Sequence, residues 1–264
     1  MRPNRHFLSV ATLALIAMVL AAGPAASQPK PQQQSQPTGP APIKPYKVVP
    51  ITLPAPVKDA TFDAFRGQLA AAIKRKERAA IAPLVVSKGF FWDRESGDGA
   101  DKKKTGADNL AVALGLGNKE GAGWDMLAGY AEDPTASPSA QHKGAICAPA
   151  DPGFIGKDFG ALLDATETDV GEWAFPVADG VEVRTTPQTS APVAEKLGLH
   201  FVRVIQDNSP AAAVASYVRI ATPGGKSGYV SADDIAPIGN DQLCYVKDGN
   251  SWKIGGYIGA GEAQ

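Results

Sequence analysis

Hydrophobic and polar residues alternate through the stretch from Gly180 to Ile238. The alternation is clearest in five runs, which read V-E-V-R, V-A-E-K-L, F-V-R-V-I, Y-V-R-I-A and S-G-Y-V-S. Glycine, proline, asparagine or aspartate separates the runs. Because a period of two places every second side chain on one face of a strand, this pattern predicts short β-strands joined by turns. The expected architecture is a small barrel or sandwich.

A longer period marks the stretch from Asp59 to Ile81, which is the clearest predicted helix. Its apolar residues recur every three or four positions and form one stripe. The residues of the stripe are Phe62, Phe65, Leu69, Ala72, Ile73 and Ala80. Asp59 or Thr61 can cap the first turn, and Pro83 stops the helix or opens the next turn.

Shorter elements are predicted on both sides of the alternating stretch. They are a buried strand at 89–93, short helices at 110–114, at 123–133 and at 157–166, and a loop-like region at 138–152. Near the C-terminus, strands at 242–247 and 252–257 flank Asp248-Gly249-Asn250. This tripeptide is a strong signal for a β-hairpin turn.

Several positions of the alternating stretch carry the pattern of a known family. They are Val181, Val183, Arg184 and Pro187 of a V-x-V-R-x-x-P opening, then Leu197, Gly198, Val218, Gly228, Tyr229, Val230 and Ile235. The pattern resembles that of the bacterial SH3 (SH3b) domain. The resemblance covers this stretch only, and it implies a fold more directly than it implies a ligand.

The C-terminal text Y-V-K-D-G-N-S-W-K-I is similar to the last hairpin of cone-shaped α+β domains of the NTF2-like kind. The first element of those domains is a long amphipathic helix, like the one predicted from Asp59. The resemblance implies that the SH3-like region is inserted into a discontinuous N-terminal domain. A pocket lined by Phe65, Phe91 and Trp252 would then favour a small-ligand role. The alternative is that the hairpin packs on the SH3-like barrel.

The expected fold class is therefore α+β, with a small all-β SH3-like barrel and a small α+β unit that has a long N-terminal helix and a C-terminal β-hairpin. The predicted boundaries are 1–27 for a signal peptide, 28–57 for a proline- and glutamine-rich linker, 58–170 for the α+β unit, 171–240 for the bacterial SH3-like domain and 241–264 for the C-terminal β-hairpin. This hairpin either completes the 58–170 unit or packs on the barrel.

The first 27 residues have the parts of an export signal. Arg2 and Arg5 make the start positive, an uncharged apolar run follows from Leu8 to Ala22, and small residues come next. The apolar run is too short for a comfortable membrane span, and an N-terminal membrane anchor is the alternative interpretation. Prolines then recur from position 29 to position 56, which predicts an extended, semi-rigid spacer. The protein is expected to be periplasmic or secreted, with no membrane contact beyond the signal peptide.

Charge is unevenly distributed along the chain. The first 57 residues contain five Lys or Arg and no acidic residue. Subtracting these five from the total of 26 leaves 21 basic residues against 27 acidic ones, so the remaining chain carries a net charge of about −6. Such a surface does not favour nucleic acid or anionic lipid, because affinity for either depends largely on neutralising phosphate.

The chain has two cysteines, Cys147 and Cys244. An even number in an exported protein favours a disulfide between them. The rival interpretation is that Cys147 is a free nucleophile, because SH3-like domains accompany cell-wall cysteine peptidases. A thiol nucleophile needs a base, and the predicted mature chain offers only His142 and His200. Cys147 is also followed by A-P-A-D-P, which cannot begin a helix as in those peptidases.

No catalytic or metal-binding residue and no cofactor is assigned from the sequence. Two histidines and two cysteines that are expected to be bridged do not supply a metal-binding set. Neighbouring carboxylates such as Asp233 and Asp234 are interpreted as solvated turn residues. The chain is expected not to be an enzyme.

Binding is the remaining class of function. The candidate ligand-binding residues are Trp173, Arg184, Tyr217 and Tyr229. Aromatic rings supply contact area, and arginine pairs with carboxylates, so this set suits peptides or peptidoglycan stem peptides. The alternative for Trp173 and Tyr217 is that they are core residues. The expected function is peptide or peptidoglycan binding in the cell envelope. The alternatives are an envelope scaffold that binds other envelope proteins and not the wall, or a cysteine-dependent cell-wall hydrolase.

Overall fold

The structure, a computed structural model, describes residues 43–117, 120–206 and 216–261. Its helices are Ala60–Ile73 (α1), Arg78–Ile81 (α2), Gly106–Ala113 (α3), Ala122–Glu132 (α4) and Gly156–Thr166 (α5). Its strands are Phe91–Arg94 (β1), Gly97–Asp98 (β2), Ser137–Pro138 (β3), Ile146–Ala148 (β4), Trp173–Pro176 (β5), Val181–Arg184 (β6), Val193–Leu197 (β7), Val202–Val204 (β8), Tyr217–Ala221 (β9), Ser227–Ser231 (β10), Ile235–Pro237 (β11), Gln242–Asp248 (β12) and Ser251–Ile258 (β13).

The strands form two sheets, and the predicted α+β class is confirmed. A six-stranded sheet has the order β2-β1-β13-β12-β4-β3, in which only β1 and β13 run parallel. A seven-stranded sheet has the order β11-β5-β8-β9-β10-β6-β7 and is antiparallel throughout. Helices α1 to α4 share one apolar core with the six-stranded sheet. Helix α5 packs against Trp173 and Phe175 of the seven-stranded sheet.

Helix α1 begins as predicted but ends early. The Asp59 carboxylate accepts hydrogen bonds from the backbone N–H groups of Thr61 and Phe62, at 2.8 and 3.2 Å, and so caps the helix. The helix stops at Ile73, and Lys76 has a positive φ of 47°. In one continuous helix Ile81 would point about 80° away from Ile73. The break turns Ile81 into the core, where it is 1% exposed.

The C-terminal hairpin lies at the centre of the six-stranded sheet, with β1 beside β13 and β4 beside β12. It is not part of the seven-stranded sheet. Tyr245, Ile254 and Tyr257 point from the hairpin into the core under the helices. Phe91 lies on the other face of the sheet, with its ring directly over the Cα of Gly256. A pocket lined by Phe65, Phe91 and Trp252, which would have favoured a small-ligand role, is therefore not formed in the described part of the chain.

The region 138–152 contains strand β4 and the end of β3, although the sequence predicted a loop. Strand β4 lies between β12 and β3. The two strands have only three and two residues, which is too short for a period of two to appear in the sequence. Cys147 of β4 lies opposite Cys244 of β12, and the two form the predicted disulfide.

Residues 43–57, here called the strap, are extended but do not form the free spacer that was predicted. Backbone hydrogen bonds join the strap at Tyr46, Ile51, Thr52 and Val57 to four different loops. Val49 and Ile51 are buried in one core with α5 and β5. The two apolar residues flank Pro50 within the proline-rich stretch. The recurring prolines predicted a spacer, and the burial of Val49 and Ile51 was therefore not predicted. The predicted signal peptide and residues 28–42 of the predicted linker lie outside the described residues.

The seven-stranded sheet does not close into the expected barrel. Among the described strands, β11 pairs only with β5 and β7 pairs only with β6, so each forms an open edge. Alternate side chains on its inner face form a core of their own: Ala174, Val181, Val183, Leu197, Val202, Ile220, Val230 and Ile235. The strap and α5 cover part of the outer face, at Trp173 and Phe175.

Within the described ranges, every helix falls short of the length and apolar character that a bilayer span requires. The longest helix, α1, has 14 residues.

Replacing both cysteines by alanine tests the contribution of the disulfide. The bridge joins residues 97 positions apart, and cross-links that close loops of this size stabilise by about 4 to 5 kcal/mol in the chain-entropy model. We expect the free energy of unfolding, measured in urea, to fall by about this amount. Adding a reductant should lower the stability of the wild type and leave the double variant unchanged. Equal stability of the two proteins under oxidising conditions would contradict the expectation.

The Asp59→Asn variant tests the electrostatic part of the α1 cap. Hydrogen bonds from the Thr61 side chain, opposed by some desolvation and helped by backbone N–H groups and Lys247, lower the pKa of Asp59 from 3.8 to about 2. A lowered pKa stabilises the fold above pH 4, and this contribution is lost as the pH falls through about 2. Asparagine keeps an acceptor oxygen but no charge. We expect the wild type to lose more stability than the variant between about pH 5 and pH 2. A constant difference in urea midpoint would disprove this.

Candidate functional site

Three of the four predicted ligand-binding residues are neighbours on the outer face of the seven-stranded sheet, and the fourth, Trp173, lies at the covered end of that face. Tyr229 of β10 is paired with Arg184 of β6 and with Arg219 of β9, and Ser231 of β10 is paired with Tyr217 of β9. Paired residues on neighbouring strands project from the same face, and residues two apart on one strand do so as well. Arg184, Tyr217 and Tyr229 are thus neighbours on one surface, opposite the inner core.

A groove of about 450 Å³ opens beside this surface. Its lining comes from four places in the chain, and the polar and aromatic side chains in it include Asp179, Glu182, Arg184, Tyr217, Ser231 and Asp234. Arg184 and Tyr217 therefore line one groove, although 33 positions separate them in the sequence. Tyr229 is half-buried beside them but is not part of the groove lining.

The guanidinium group of Arg184 is held on one side of the groove. Its Nη2 lies 2.6 Å from Glu182 Oε2, and its Nη1 donates to the Ala191 carbonyl oxygen at 2.8 Å. The Arg184 side chain is 21% exposed and that of Glu182 is 40% exposed. Glu182 and Arg184 are two residues apart on β6, so the strand itself places them side by side. The two side chains thus form one wall of the groove, in which the positive charge of Arg184 is balanced by the negative charge of Glu182.

The turns at the end of the groove are tied to the sheet by backbone hydrogen bonds. The Val177 N–H donates to the Asp234 carbonyl oxygen at 3.0 Å, and the Gly180 N–H donates to Leu197 at 2.8 Å. Gly180 has a φ of 79°, which residues with a Cβ adopt at a cost. Ser231 Oγ accepts a hydrogen bond from the Asp233 N–H at 3.3 Å. These bonds hold the groove wall in place without a ligand.

Trp173 is not available to a ligand, contrary to its selection as a binding residue. Its side chain is fully buried, and its Nε1–H donates to Thr168 Oγ1 at 2.8 Å. The Tyr46 ring of the strap packs edge-on against it, with the ring centroids 5.0 Å apart. The sequence could not show this cover, because the strap comes from the region predicted to be a free linker. Trp173 is a core residue that joins the strap to the sheet.

The structure does not offer Cys147 as a thiol nucleophile, because its sulfur is bonded to Cys244. His142, the base that lies nearest to Cys147 in the sequence, instead pairs with Asp93, with Nε2 2.7 Å from Oδ2. The His142 ring stacks on the Phe91 ring, with the two ring centroids 3.5 Å apart. No cluster of three or more His, Cys, Asp or Glu that could hold a metal occurs among the described residues.

Sequence reasoning missed the acidic residues of the groove. Asp179 and Asp234 lie in turns, where carboxylates are common and carry no distinctive pattern. Asp234 was interpreted as a solvated turn residue, and it is exposed, but it also lines the groove. The Asp-Gly pair at 179–180 predicts a turn, but it does not predict which residues lie next to that turn in the folded chain. Only the sheet pairing brings the two turns together, at the start of β6 and the end of β10.

Trp173→Ala and Tyr217→Ala separate a core residue from a groove residue. Removing a fully buried tryptophan costs about 3 to 5 kcal/mol. Removing the half-buried Tyr217 should cost less than about 2 kcal/mol, since its ring lines an open groove. Urea unfolding of both variants measures the difference. Equal losses would show that Tyr217 is as much a core residue as Trp173.

No model of a known protein family matches the chain, and no curated protein is significantly similar to it. The groove residues are accordingly the basis for inferring what the chain binds.

Proposed function

We propose that this chain is an exported, non-catalytic binding protein whose seven-stranded sheet is an SH3b-like domain. The domain binds peptides in the groove lined by Arg184 and Tyr217. In the cell envelope, the peptides it binds are peptidoglycan stem peptides. The observation that carries the proposal is that these two residues, distant in sequence, line one groove. The proposal places the protein in the periplasm or outside the cell, in accordance with the signal-like first 27 residues.

The size and composition of the groove suit a short peptide. Its volume of about 450 Å³ lies within the range of small-ligand sites, about 300 to 1,000 Å³. The Tyr217 ring offers flat contact area at low entropic cost, and its hydroxyl can donate or accept a hydrogen bond. Peptide ligands need both kinds of contact, because each residue brings an apolar part and backbone amides.

Preorganisation also supports binding at this groove. Arg184 and Glu182 belong to β6, Tyr217 to β9 and Ser231 to β10, and all three strands are neighbours in one sheet. The Glu182–Arg184 pair and the Ala191 carbonyl already orient the guanidinium group. Since the side chains are ordered before a ligand arrives, binding loses less conformational entropy.

The role proposed for Arg184 differs from simple capture of a ligand carboxylate. Its charge is already balanced by Glu182 at 2.6 Å. A guanidinium group has five N–H donors, so Arg184 can still donate to a peptide carbonyl at the groove surface. We therefore assign Arg184 to backbone recognition and to the positioning of Glu182.

Co-sedimentation with purified cell-wall sacculi tests the proposal. The mature protein from Gln28 is compared with the Arg184→Ala and Tyr217→Ala variants. We expect the wild type to pellet with the sacculi and each variant to bind at least about fivefold more weakly, as for residues central to an interface. The bound fraction is measured over a range of sacculus concentrations.

Arg219→Ala is the matched control for Arg184→Ala. Arg219 lies on the same outer face, two residues from Tyr217, but does not line the groove. Both changes remove one positive charge, so a general electrostatic effect would weaken the binding of both variants to sacculi equally. If the wild type does not pellet, wall binding is wrong, and a scaffold that binds other envelope proteins becomes the better proposal. If Arg219→Ala loses binding as fully as Arg184→Ala, the site is not the groove.

A further inference from the structure

The charges along the groove point to the chemical group that its ligand presents, an inference that rests on the proposed peptide-binding function. Three carboxylates, from Asp179, Glu182 and Asp234, line the groove. Arg184 is the one cation among the described lining residues. At neutral pH the lining thus carries three negative charges and one positive charge.

The positive charge of Arg184 is not free to attract an anionic ligand. Its Nη2 lies 2.6 Å from Glu182 Oε2, and its Nη1 donates to the Ala191 carbonyl oxygen. A charge-assisted contact of this length makes the two side chains close to neutral as a unit. The field at the groove is then set by the remaining carboxylates.

Asp179 and Asp234 provide those remaining charges. Both residues are exposed, and in the part of the chain that the structure describes neither takes part in an ion pair. They belong to adjoining turns, because the Val177 N–H donates to the Asp234 carbonyl oxygen. Two unneutralised carboxylates beside one groove attract a cation and repel a ligand carboxylate.

Tyr217 adds a second reason for a cationic ligand. It is half-buried on the same groove wall. The face of an aromatic ring attracts an ammonium group within about 6 Å of its centroid. The groove is thus more than a cluster of acidic residues, since it offers a cavity, a ring and carboxylates to one ligand group.

We propose that the groove recognises a free primary ammonium group on its peptide ligand, namely the side-chain amine of a diamino acid. When that amine is acylated, as in a cross-link between two wall peptides, the positive charge is lost and the attraction of Asp179, Asp234 and Tyr217 is lost with it. The protein therefore distinguishes uncross-linked from cross-linked stem peptides.

Two synthetic peptides test the inference. Both are stem-type peptides with one lysine and a blocked N-terminus, and they differ only in whether the lysine side-chain amine is free or acetylated. We expect the free amine to bind about 5- to 20-fold more tightly, the product of two exposed charge contacts and one cation–π contact. Binding is measured by calorimetric titration at low and high salt, and high salt should reduce the difference.

The Asp179→Asn, Asp234→Asn double variant provides the second arm. It should lose the part of the difference between the two peptides that the carboxylates provide, and keep only the part that the Tyr217 ring contributes, about two- to fivefold. Because both residues are exposed, the fold should be retained, and an unchanged urea midpoint checks this. Asp164→Asn, on α5, is the control for the loss of a surface carboxylate outside the groove.

The outcomes separate this inference from the proposed function. Equal affinity of the wild type for both peptides would overturn the recognition of the amine and leave peptide binding in place. Binding of neither peptide would overturn both. If the double variant keeps the full selectivity of the wild type, Asp179 and Asp234 are not the recognising groups, which also overturns the inference.

Discussion

The pairing of the C-terminal hairpin with β1 and β4 is the constraint on which the rest of the structure depends. Strand β13 runs parallel to β1, and β12 runs antiparallel to β4. Without the hairpin, β1–β2 and β3–β4 would be separate pairs with no common sheet. The helices would then have no continuous apolar surface, since Leu243, Tyr245, Ile254 and Tyr257 of the hairpin form its centre. The Cys147–Cys244 bridge secures this pairing covalently.

A separate apolar core connects the strap with the outer face of the seven-stranded sheet. Val49 and Ile51 of the strap lie in it with Phe159 of α5, with Trp173 of the sheet and with Phe201, which directly precedes β8. Aromatic edges meet faces at several of these contacts, which suits the charge distribution of the rings. This core covers one end of the outer face. The other end stays open, and there the groove with Arg184 and Tyr217 is found.

The sequence predicted the elements that have a clear period and missed those that depend on distant contacts. The strands with alternating residues, the hairpin at Gly249 and the cap at Asp59 were all predicted from local pattern, because their signals lie within a few residues. Strand β4 and the strap were missed, because a partner elsewhere in the chain makes them ordered. Of the site residues, Arg184 and Tyr217 share a groove, while Trp173 is covered by a segment that its own sequence neighbourhood does not reveal.

The hairpin position has a consequence for the order in which the protein acquires its structure. A ribosome makes β1 long before β13, and translocation through a membrane would deliver them in the same order. The seven-stranded sheet lies wholly between them in the chain, so it can form first as a local unit. The six-stranded sheet must wait for the last strand, and a parallel pairing between residues 91 and 256 is slow to find because of its high contact order. During that interval the apolar faces of the helices and the edges of β1 and β4 are exposed, and these are the surfaces on which a chaperone would act.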